Sequence, residues 1–583
     1  MKKLVIHSNN TSFNNTGLFQ LSEQFVFDVD FDKDVDFYIN DNLTEGNLKQ
    51  KLENCDIVFI KAALSKNYLE YLGLRLAYHI RLTKSLGEKA NIPIVIIAEE
   101  SFQYLGLTYP EPSILFTKGI YLIKESLDDY DRTIKWINDR RIKPLDDFSS
   151  FVSSITINPP ASYLSHHSIA NEWSILRWAK VLGISTESEA LKDVRSNIES
   201  LLYYKFLQAK YPIEAEPDKA AFKINGKGSI LYIDDEWNKG WDLVFEKFFT
   251  PSPNIEFECL KYDFKDKPQE VIIKECKKVI ESSKPDLVLL DLRLSDSDFT
   301  NSHKSSLLTG YKLLKAIKLI NPGIQVIIFT ASNKVWNLIE LQANGADGFL
   351  LKESPELTIH SSHTAESLSS LSKQITLCLS NAYLKEVWEI LEGIRRQFSA
   401  NPLAQYYPND FRCLRGIQYQ NLLLLELNSM YNILNSEDEN RFSYAMLIQF
   451  KILECIVEIF IPEKARDGNW LFYDGSKVKY YYSDDDKIHE RTESLLFFDR
   501  NAGKKASVKI PAYEYNSTRN KIDCLVEQKL IVENKLHVHK MLKNLVNYRN
   551  GFIHPTDRLK LKPLSSENII EWITIIGQIL KKI

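Results

Sequence analysis

The feature that most constrains the fold is a set of four short apolar runs between Ser229 and Pro355, each closing on polar residues. Ile230-Leu231-Tyr232-Ile233 runs into Asp234-Asp235-Glu236, and Leu287-Val288-Leu289-Leu290 into Asp291-Leu292-Arg293. Ile324 to Phe329 ends in Thr330, and Phe349-Leu350-Leu351 ends in Lys352-Glu353. Each run has the length of a strand buried on both faces. Helical patterns lie between them, so the spacing predicts alternating β/α units around a parallel sheet. In open α/β sheets the ligand crevice lies outside the carboxyl ends of the strands, and the polar residues fall there.

Three carboxylates from two strands make an oxygen-rich site suited to a hard, octahedral cation such as Mg²⁺. A hydroxyl on the fourth strand and an ammonium on the fifth face the same point. With the cation they can neutralise phosphoryl oxygens, leaving one Asp as nucleophile. No Gly-rich phosphate loop follows the first strand, which argues against a nucleotide-binding flavodoxin-like domain with incidental acids. This constellation resembles the receiver domain of two-component response regulators. The resemblance implies that Asp291 is the phospho-acceptor and that Asp234, Asp235 and Asp291 hold Mg²⁺ with the backbone carbonyl of Arg293. It makes Thr330, Lys352 and Phe349 the switch residues, and a cognate histidine kinase or phosphotransfer protein the partner. Two departures stand out: a long polar loop from Ser295 to Thr309, and Glu353-Ser354 between Lys352 and Pro355.

The same pattern recurs near the amino terminus. Cys55 to Ser65 runs parallel to Pro285 to Ser295, and Ile92 to Ala98 parallel to Ile324 to Thr330. Gly119 to Ser126 nearly repeats Gly348 to Ser354, and Gly73-Leu74-Arg75-Leu76 sits where Gly310-Tyr311-Lys312-Leu313 opens a helix. Lys61 replaces Asp291, Ala98 replaces Thr330, and His7-Ser8 replaces the acid pair. A lysine cannot accept the phosphoryl group or hold the cation, and Lys61 with Lys124 is expected to repel it. The copy therefore reads as a pseudo-receiver serving as a protein–protein surface, with a small-anion site at Lys61 and Lys124 as the alternative.

With 583 residues, three or four domains are expected. A net charge of −4 gives no bulk attraction to nucleic acid, so any RNA contact must be local. Seven scattered cysteines without a C-x-x-C pair fit reduced thiols in the cytoplasm and argue against zinc. No apolar run reaches the ~18 residues of a membrane span, and the Met-Lys-Lys start is too short for a signal peptide. No kinase-type nucleotide loop appears, so self-phosphorylation from ATP is not expected. No helix-turn-helix with a basic recognition helix is visible, which leaves DNA out.

Residues 147–227 read as a helical linker. His166 and His167 invite a phosphotransfer role, against the plainer reading of a helix start near an interface. Past Leu379 long helical patterns take over: Glu386 to Phe398, Asp410 to Leu434, Phe442 to Ile461, Leu536 to Arg549 and Glu567 to Leu580. Asp474-Gly475, between Trp470 to Tyr473 and Lys477 to Tyr482, signals a β-hairpin insertion. His537 and His539 are expected at the surface.

Near the end stands Arg549-Asn550-Gly551-Phe552-Ile553-His554. A regular helix turns Arg549 and His554 ~140° apart. They meet only if Gly551 relaxes the last turn or if two protomers face each other. The motif resembles the Arg-x4–6-His signature of HEPN domains, an all-helical family with many metal-independent ribonucleases of stress and antiviral systems. The resemblance implies a catalytic set of Arg549, Asn550 and His554, an RNA substrate and a homodimer. A histidine suits general acid–base work on a 2′-hydroxyl, and a forked arginine suits the phosphorane. The plainer reading is a non-catalytic dimerisation or docking module. The expected architecture is thus multidomain α/β plus all-α: pseudo-receiver at 1–146, helical linker at 147–227, and receiver at 228–380. Both receiver folds are flavodoxin-like (βα)5 units, and a HEPN-like helical bundle with the hairpin fills 381–583.

Overall fold

The structure, a computed structural model of the whole chain, describes residues 2–9, 22–28, 34–159, 166–185, 187–211, 222–300, 305–331, 335–355, 360, 362–400, 411–460, 477–483, 488–494, 522, 535–554 and 561–582. Two five-stranded parallel sheets dominate the first two-thirds. In the first, β1 (Lys3–His7), β2 (Glu23–Val26), β3 (Ile57–Lys61), β4 (Ile94–Ile97) and β5 (Ile120–Ile123) take the order β2-β1-β3-β4-β5. In the second, β6 (Gly228–Ile233), β7 (Ile255–Cys259), β8 (Leu287–Leu290), β9 (Gln325–Thr330) and β10 (Gly348–Leu351) take the order β10-β9-β8-β6-β7. Both are the 2-1-3-4-5 order of flavodoxin-like folds, whose crevice opens beside the first and third strands.

The apolar runs form the central strands because helices cover both faces there. All of β4, β8 and β9 is buried. The edge strands differ: β7 alternates half-buried and exposed positions, and β2 buries only Phe25. The repeat extends to backbone contacts. A Cβ on Gly73 would lie 2.1 Å from the Lys61 carbonyl oxygen, and one on Gly310 would lie 2.2 Å from that of Asp291. Each sheet thus needs glycine where a helix starts against the residue at the acceptor position. The Gly73 N–H donates to Ala62 O at 2.9 Å and the Gly310 N–H to Leu292 O at 3.0 Å.

The segment expected as a linker is helical, at Phe148–Ser154, His166–Val181, Lys192–Ser200 and Leu202–Lys210. It is also core. One hydrophobic cluster runs from Leu4 and Ile60 through Trp173 and Trp178 to Tyr232 and Phe329. The side chains of His166 and His167 lie outside what is described.

The helical half has its own core, built by Tyr383–Ala400, Phe411–Leu434, Arg441–Phe460, Lys535–Ile553 and Ser566–Lys582 around Leu427, Ile456, Leu542 and Trp572. These match the five expected helices within a few residues. The hairpin is placed differently. β11 (Lys477–Ser483) pairs antiparallel with β12 (Ile488–Ser494), downstream of the expected partner, while Trp470 to Gly475 fall outside the described residues. His539 is fully buried, which corrects its expected surface position; His537 is exposed, 3.6 Å from Glu571. Among the described residues no helix is long and apolar enough to cross a membrane.

Candidate functional site

The strand ends of the second sheet gather the expected residues. Asp291 N–H donates to Ile233 O at 2.9 Å and Lys352 N–H to Thr330 O at 2.8 Å, carrying the ladder one residue past β8 and β10. Asp234, Asp235 and Asp291 each offer a carboxylate oxygen within 4.8 Å of the others. The buried Lys352 ammonium lies 2.7 Å from Asp234 Oδ2 and 3.0 Å from Asp291 Oδ2. The Tyr232 hydroxyl donates to Asp234 Oδ2 at 2.6 Å, the Glu236 N–H to Asp234 Oδ1 at 2.8 Å, and the Leu292 N–H to Asp291 Oδ1 at 2.6 Å. Thr330 is buried at the end of β9, and Phe349 is half-buried on β10.

The electrostatics follow from crowding in a dry place. Burial pushes the Asp291 carboxyl up to about 6, with Lys352 pulling down and Asp234 pushing up. Burial also drives Asp235 well above the usual carboxylate range, reinforced by Asp234, Glu236 and Asp291. Burial opposes the charge on Lys352, but Asp234 and Asp291 hold its ammonium above its ordinary value. Three carboxylates against one ammonium leave excess negative charge, and the donors are hard oxygens. The residues therefore fit a hard divalent cation such as Mg²⁺. Arg293 is expected to contribute only its backbone carbonyl. Its side chain is engaged elsewhere, donating from Nη1 to Asp298 O at 3.2 Å and lying 5.4 Å from the Phe299 ring.

Several contributors were not singled out from the sequence. Asp298, fully buried, organises the long loop by accepting from the Leu294, Ser295 and Thr309 N–H groups and from the Thr309 hydroxyl. Trp241 and Phe329 place their ring centroids 5.8 and 5.2 Å from Lys352 Nζ. Glu353 is buried and bonded to the helix His166–Val181. Of these only Glu353 carried a sequence signal: it departs from the receiver pattern between Lys352 and Pro355, and Lys-Glu-Ser recurs at Lys124 to Ser126.

In the first sheet the corresponding place holds Lys61, Ala98 and Ser8. The pairing of Lys61 and Lys124 as joint cations is corrected by the structure. Lys61 Nζ lies 3.2 Å from Glu125 Oε2, while Lys124 is exposed. Lys124 lines a separate cavity of about 300 Å³ with Phe102, Arg132 and Trp136.

At the carboxy-terminal motif the helix Lys535–Ile553 continues through Gly551, and His554 N–H still bonds to Asn550 O at 3.3 Å. The last turn is therefore not relaxed. Arg549 lies 4.8 Å from the Phe450 ring and donates to Asn550 Oδ1 at 3.0 Å, whereas His554 is exposed. One protomer does not bring Arg549 and His554 together.

Comparison with known proteins bears on the two sheets. Residues 7–123 match the family model of the inactive receiver domain, and residues 272–363 match that of the response regulator receiver domain. The second match covers Asp291, Thr330, Phe349 and Lys352 but begins after Asp234 and Asp235. No curated protein matches the chain. Among solved structures, a LuxR-family two-component response regulator from Aurantimonas sp. SI85-9A1 is similar at 16% identity, over 25% of this chain and 86% of that one, with a TM-score of 0.18. NtrX from Brucella abortus is similar at 21% identity over 25% of this chain, with a TM-score of 0.17. Its ADP complex is similar at 22% identity over 26%, also with a TM-score of 0.17. The chain spans only 28% and 30% of the length of these two NtrX chains. The protein thus carries, in tandem, an inactive receiver domain and a response-regulator receiver domain.

Proposed function

We propose that Asp291 accepts a phosphoryl group and that its state controls the helical half, residues 381–583. The observation that carries this is Lys352 bridging Asp234 and Asp291 beside Asp235, with Thr330 on the adjacent strand end. A carboxylate oxygen of Asp291 attacks phosphorus, the donor's bond to phosphorus breaks, and the donor leaves with that electron pair. The Lys352 ammonium and the Thr330 hydroxyl then hold phosphoryl oxygens. Magnesium held by Asp234, Asp235, Asp291 and the Arg293 carbonyl would supply further positive charge to those oxygens. The donor is a histidine kinase or phosphotransfer protein. The parent chain should bind beryllofluoride with Mg²⁺ in calorimetry, and Asp291→Asn should not; equal binding by both overturns the acceptor assignment.

For the helical half the reading is a HEPN-type, metal-independent endoribonuclease of a stress or defence system. It is supported by the Arg-Asn-x-x-x-His motif at a helix end. Because the helix is regular through Gly551, Arg549 and His554 project ~140° apart. A joint site then needs a second protomer, as an isologous dimer supplies. RNA incubated with the protein and EDTA should be cut to 2′,3′-cyclic phosphate ends, and His554→Ala should abolish cutting while leaving the dimer intact. Full activity in His554→Ala ends the nuclease assignment. Inertness in both phosphorylation states favours a docking module, which the packing of Arg549 on Phe450 also fits.

A further inference from the structure

The helix His166–Val181 lies outside the second sheet, yet one face of it holds both loops that flank the acidic site. Asn171 Nδ2 donates to Glu236, which follows Asp235, and Ser168 Oγ donates to Glu236 Oε1 at 3.2 Å. Two turns on, Ser174 Oγ donates to the Glu353 carbonyl at 3.0 Å. Arg177 Nε reaches Glu353 Oε2 at 3.1 Å and Thr364 Oγ1 at 2.8 Å, and Trp178 Nε1 donates to Glu353 Oε1 at 2.9 Å. Arg177 and Glu353 have side chains 0% and 1% exposed. The Trp178 ring packs 5.6 Å from Phe329, the residue before Thr330.

The chain contains its own comparison. After β5 comes Lys124-Glu125, and after β10 comes Lys352-Glu353. In the second sheet the lysine enters the site and the glutamate faces the helix. In the first, the glutamate enters and meets Lys61, the lysine is exposed, and Glu125 Oε1 is buried without a hydrogen-bond partner. The same dipeptide therefore takes two orientations. The one that keeps lysine at the acceptor residue is the one whose glutamate is saturated by Arg177, Trp178 and Thr364.

We infer that Arg177 is a positioning residue for the acceptor site: acting through Glu353, it keeps that carboxylate away from Lys352 so that the ammonium stays free for an anionic group on Asp291. A buried carboxylate stripped of its guanidinium is costly and turns to the nearest cation. A cation adjacent to Glu353 in the chain is the ammonium of the preceding residue, Lys352. A carboxylate on Lys352 would compete with the phosphoryl oxygens for it. This inference rests on the proposed phosphoryl acceptance at Asp291.

The test uses the full chain and beryllofluoride with Mg²⁺, read by calorimetry. Arg177→Met should weaken binding about tenfold or more, the equivalent of one lost charge interaction. Glu353→Gln added to Arg177→Met should restore it, because the competing charge is then gone. Trp178→Phe, which keeps an aromatic ring in the core but loses the pyrrole ring and its N–H donor to Glu353, should weaken binding in the same direction by less. A crystal structure of Arg177→Met without any added metal should show the Glu353 carboxylate turned toward Lys352. Parent-like binding by folded Arg177→Met overturns the inference while leaving Asp291 as acceptor, as does failure of Glu353→Gln to rescue. If Arg177→Met does not fold, parent-like binding by Trp178→Phe overturns it instead. A parent chain that does not bind beryllofluoride overturns the acceptor reading and this inference with it.

Discussion

Asp234, Asp235 and Asp291 crowd around one buried ammonium, so their mutual repulsion carries an electrostatic cost at neutral pH whenever no cation offsets it. Relieving one charge should stabilise the fold. Asp235→Asn is expected to raise the thermal transition of the second sheet in the absence of divalent cations, by several degrees for each kcal/mol relieved. Added Mg²⁺ should raise the parent's transition and leave that of Asp235→Asn nearly unmoved. Calorimetric scans with and without the cation check this, and a variant less stable than the parent in both would remove the crowding argument. At this scale the sequence was informative wherever a residue's identity is tied to a strand end, which is why Asp234, Asp235, Asp291, Thr330 and Lys352 were legible. It was silent on Tyr232, Trp241 and Asp298, whose roles come from hydrogen bonds and ring contacts that no spacing encodes. His539 misled because it has no partner pattern in the sequence, and its burial appears only once its neighbours are packed around it.

Among elements, the fully buried central strands announced themselves as unbroken apolar runs, whereas the half-exposed edge strands β2 and β7 did not. The helices of the linker were legible as helices but not as core, because their partners lie far away in sequence. One such joint predicts a pH dependence. Asp36, in the helix Val35–Thr44, accepts from Arg75 Nε at 2.6 Å and from the Leu202 N–H at 2.8 Å, and its Oδ1 lies 2.9 Å from His79 Nε2. Burial alone would raise the Asp36 carboxyl, but His79 and Arg75 hold it well below the usual range. Burial pushes the His79 imidazole down to about 4 against the pull of Asp36, with the Lys205 and Arg75 charges adding to the fall. Between the ordinary histidine value near 6.5 and about 4, the unfolded chain therefore binds a proton that the folded chain does not. Stability should fall as pH drops through that window, by up to about 3 kcal/mol at 1.36 kcal/mol per unit. The Asp36 contribution is lost only at lower pH, below its unfolded value. Denaturant titrations of the parent and His79→Gln between pH 7 and 4 should show the slope shrinking in the variant. An unchanged slope would mean that other groups set the acid limit.

Across the whole molecule the two neighbours of the receiver sheet attach at opposite poles. The helix His166–Val181 lies at the strand carboxyl ends, against Glu236 and Glu353, and the inactive receiver meets the same helical segment further on, where Lys205 Nζ donates to Thr83 Oγ1 at 2.9 Å. The helical half docks at the other end. Lys385 pairs with Asp286 and donates to Lys284 O at 2.8 Å, Asn321 Nδ2 donates to Lys385 O at 3.1 Å, and a Cβ on Gly323 would lie 2.3 Å from the Leu384 backbone. What joins the poles is the 18-residue helix His363–Ser380, roughly 27 Å long at 1.5 Å per residue. Thr364 in its first turn donates to Glu353 Oε2 at 2.8 Å and accepts from Arg177, and after Asn381 and Ala382 begins Tyr383–Ala400. A change at Asp291 is therefore expected to reach the helix His166–Val181 through Glu236 and Glu353, and the helical half along His363–Ser380, because the Lys385–Asp286 pair lies at the far end of β8 from Asp291. Hydrogen exchange on the full chain, with Mg²⁺ and with or without beryllofluoride, should show altered protection first in the stretch from Ser168 to Trp178 and in the first turns of His363–Ser380. Any change in Tyr383–Ala400 should disappear in Thr364→Val, which cuts the rod from Glu353 while leaving both poles in place. Protection that changes in Tyr383–Ala400 equally in the parent and in Thr364→Val would show that the signal takes another route.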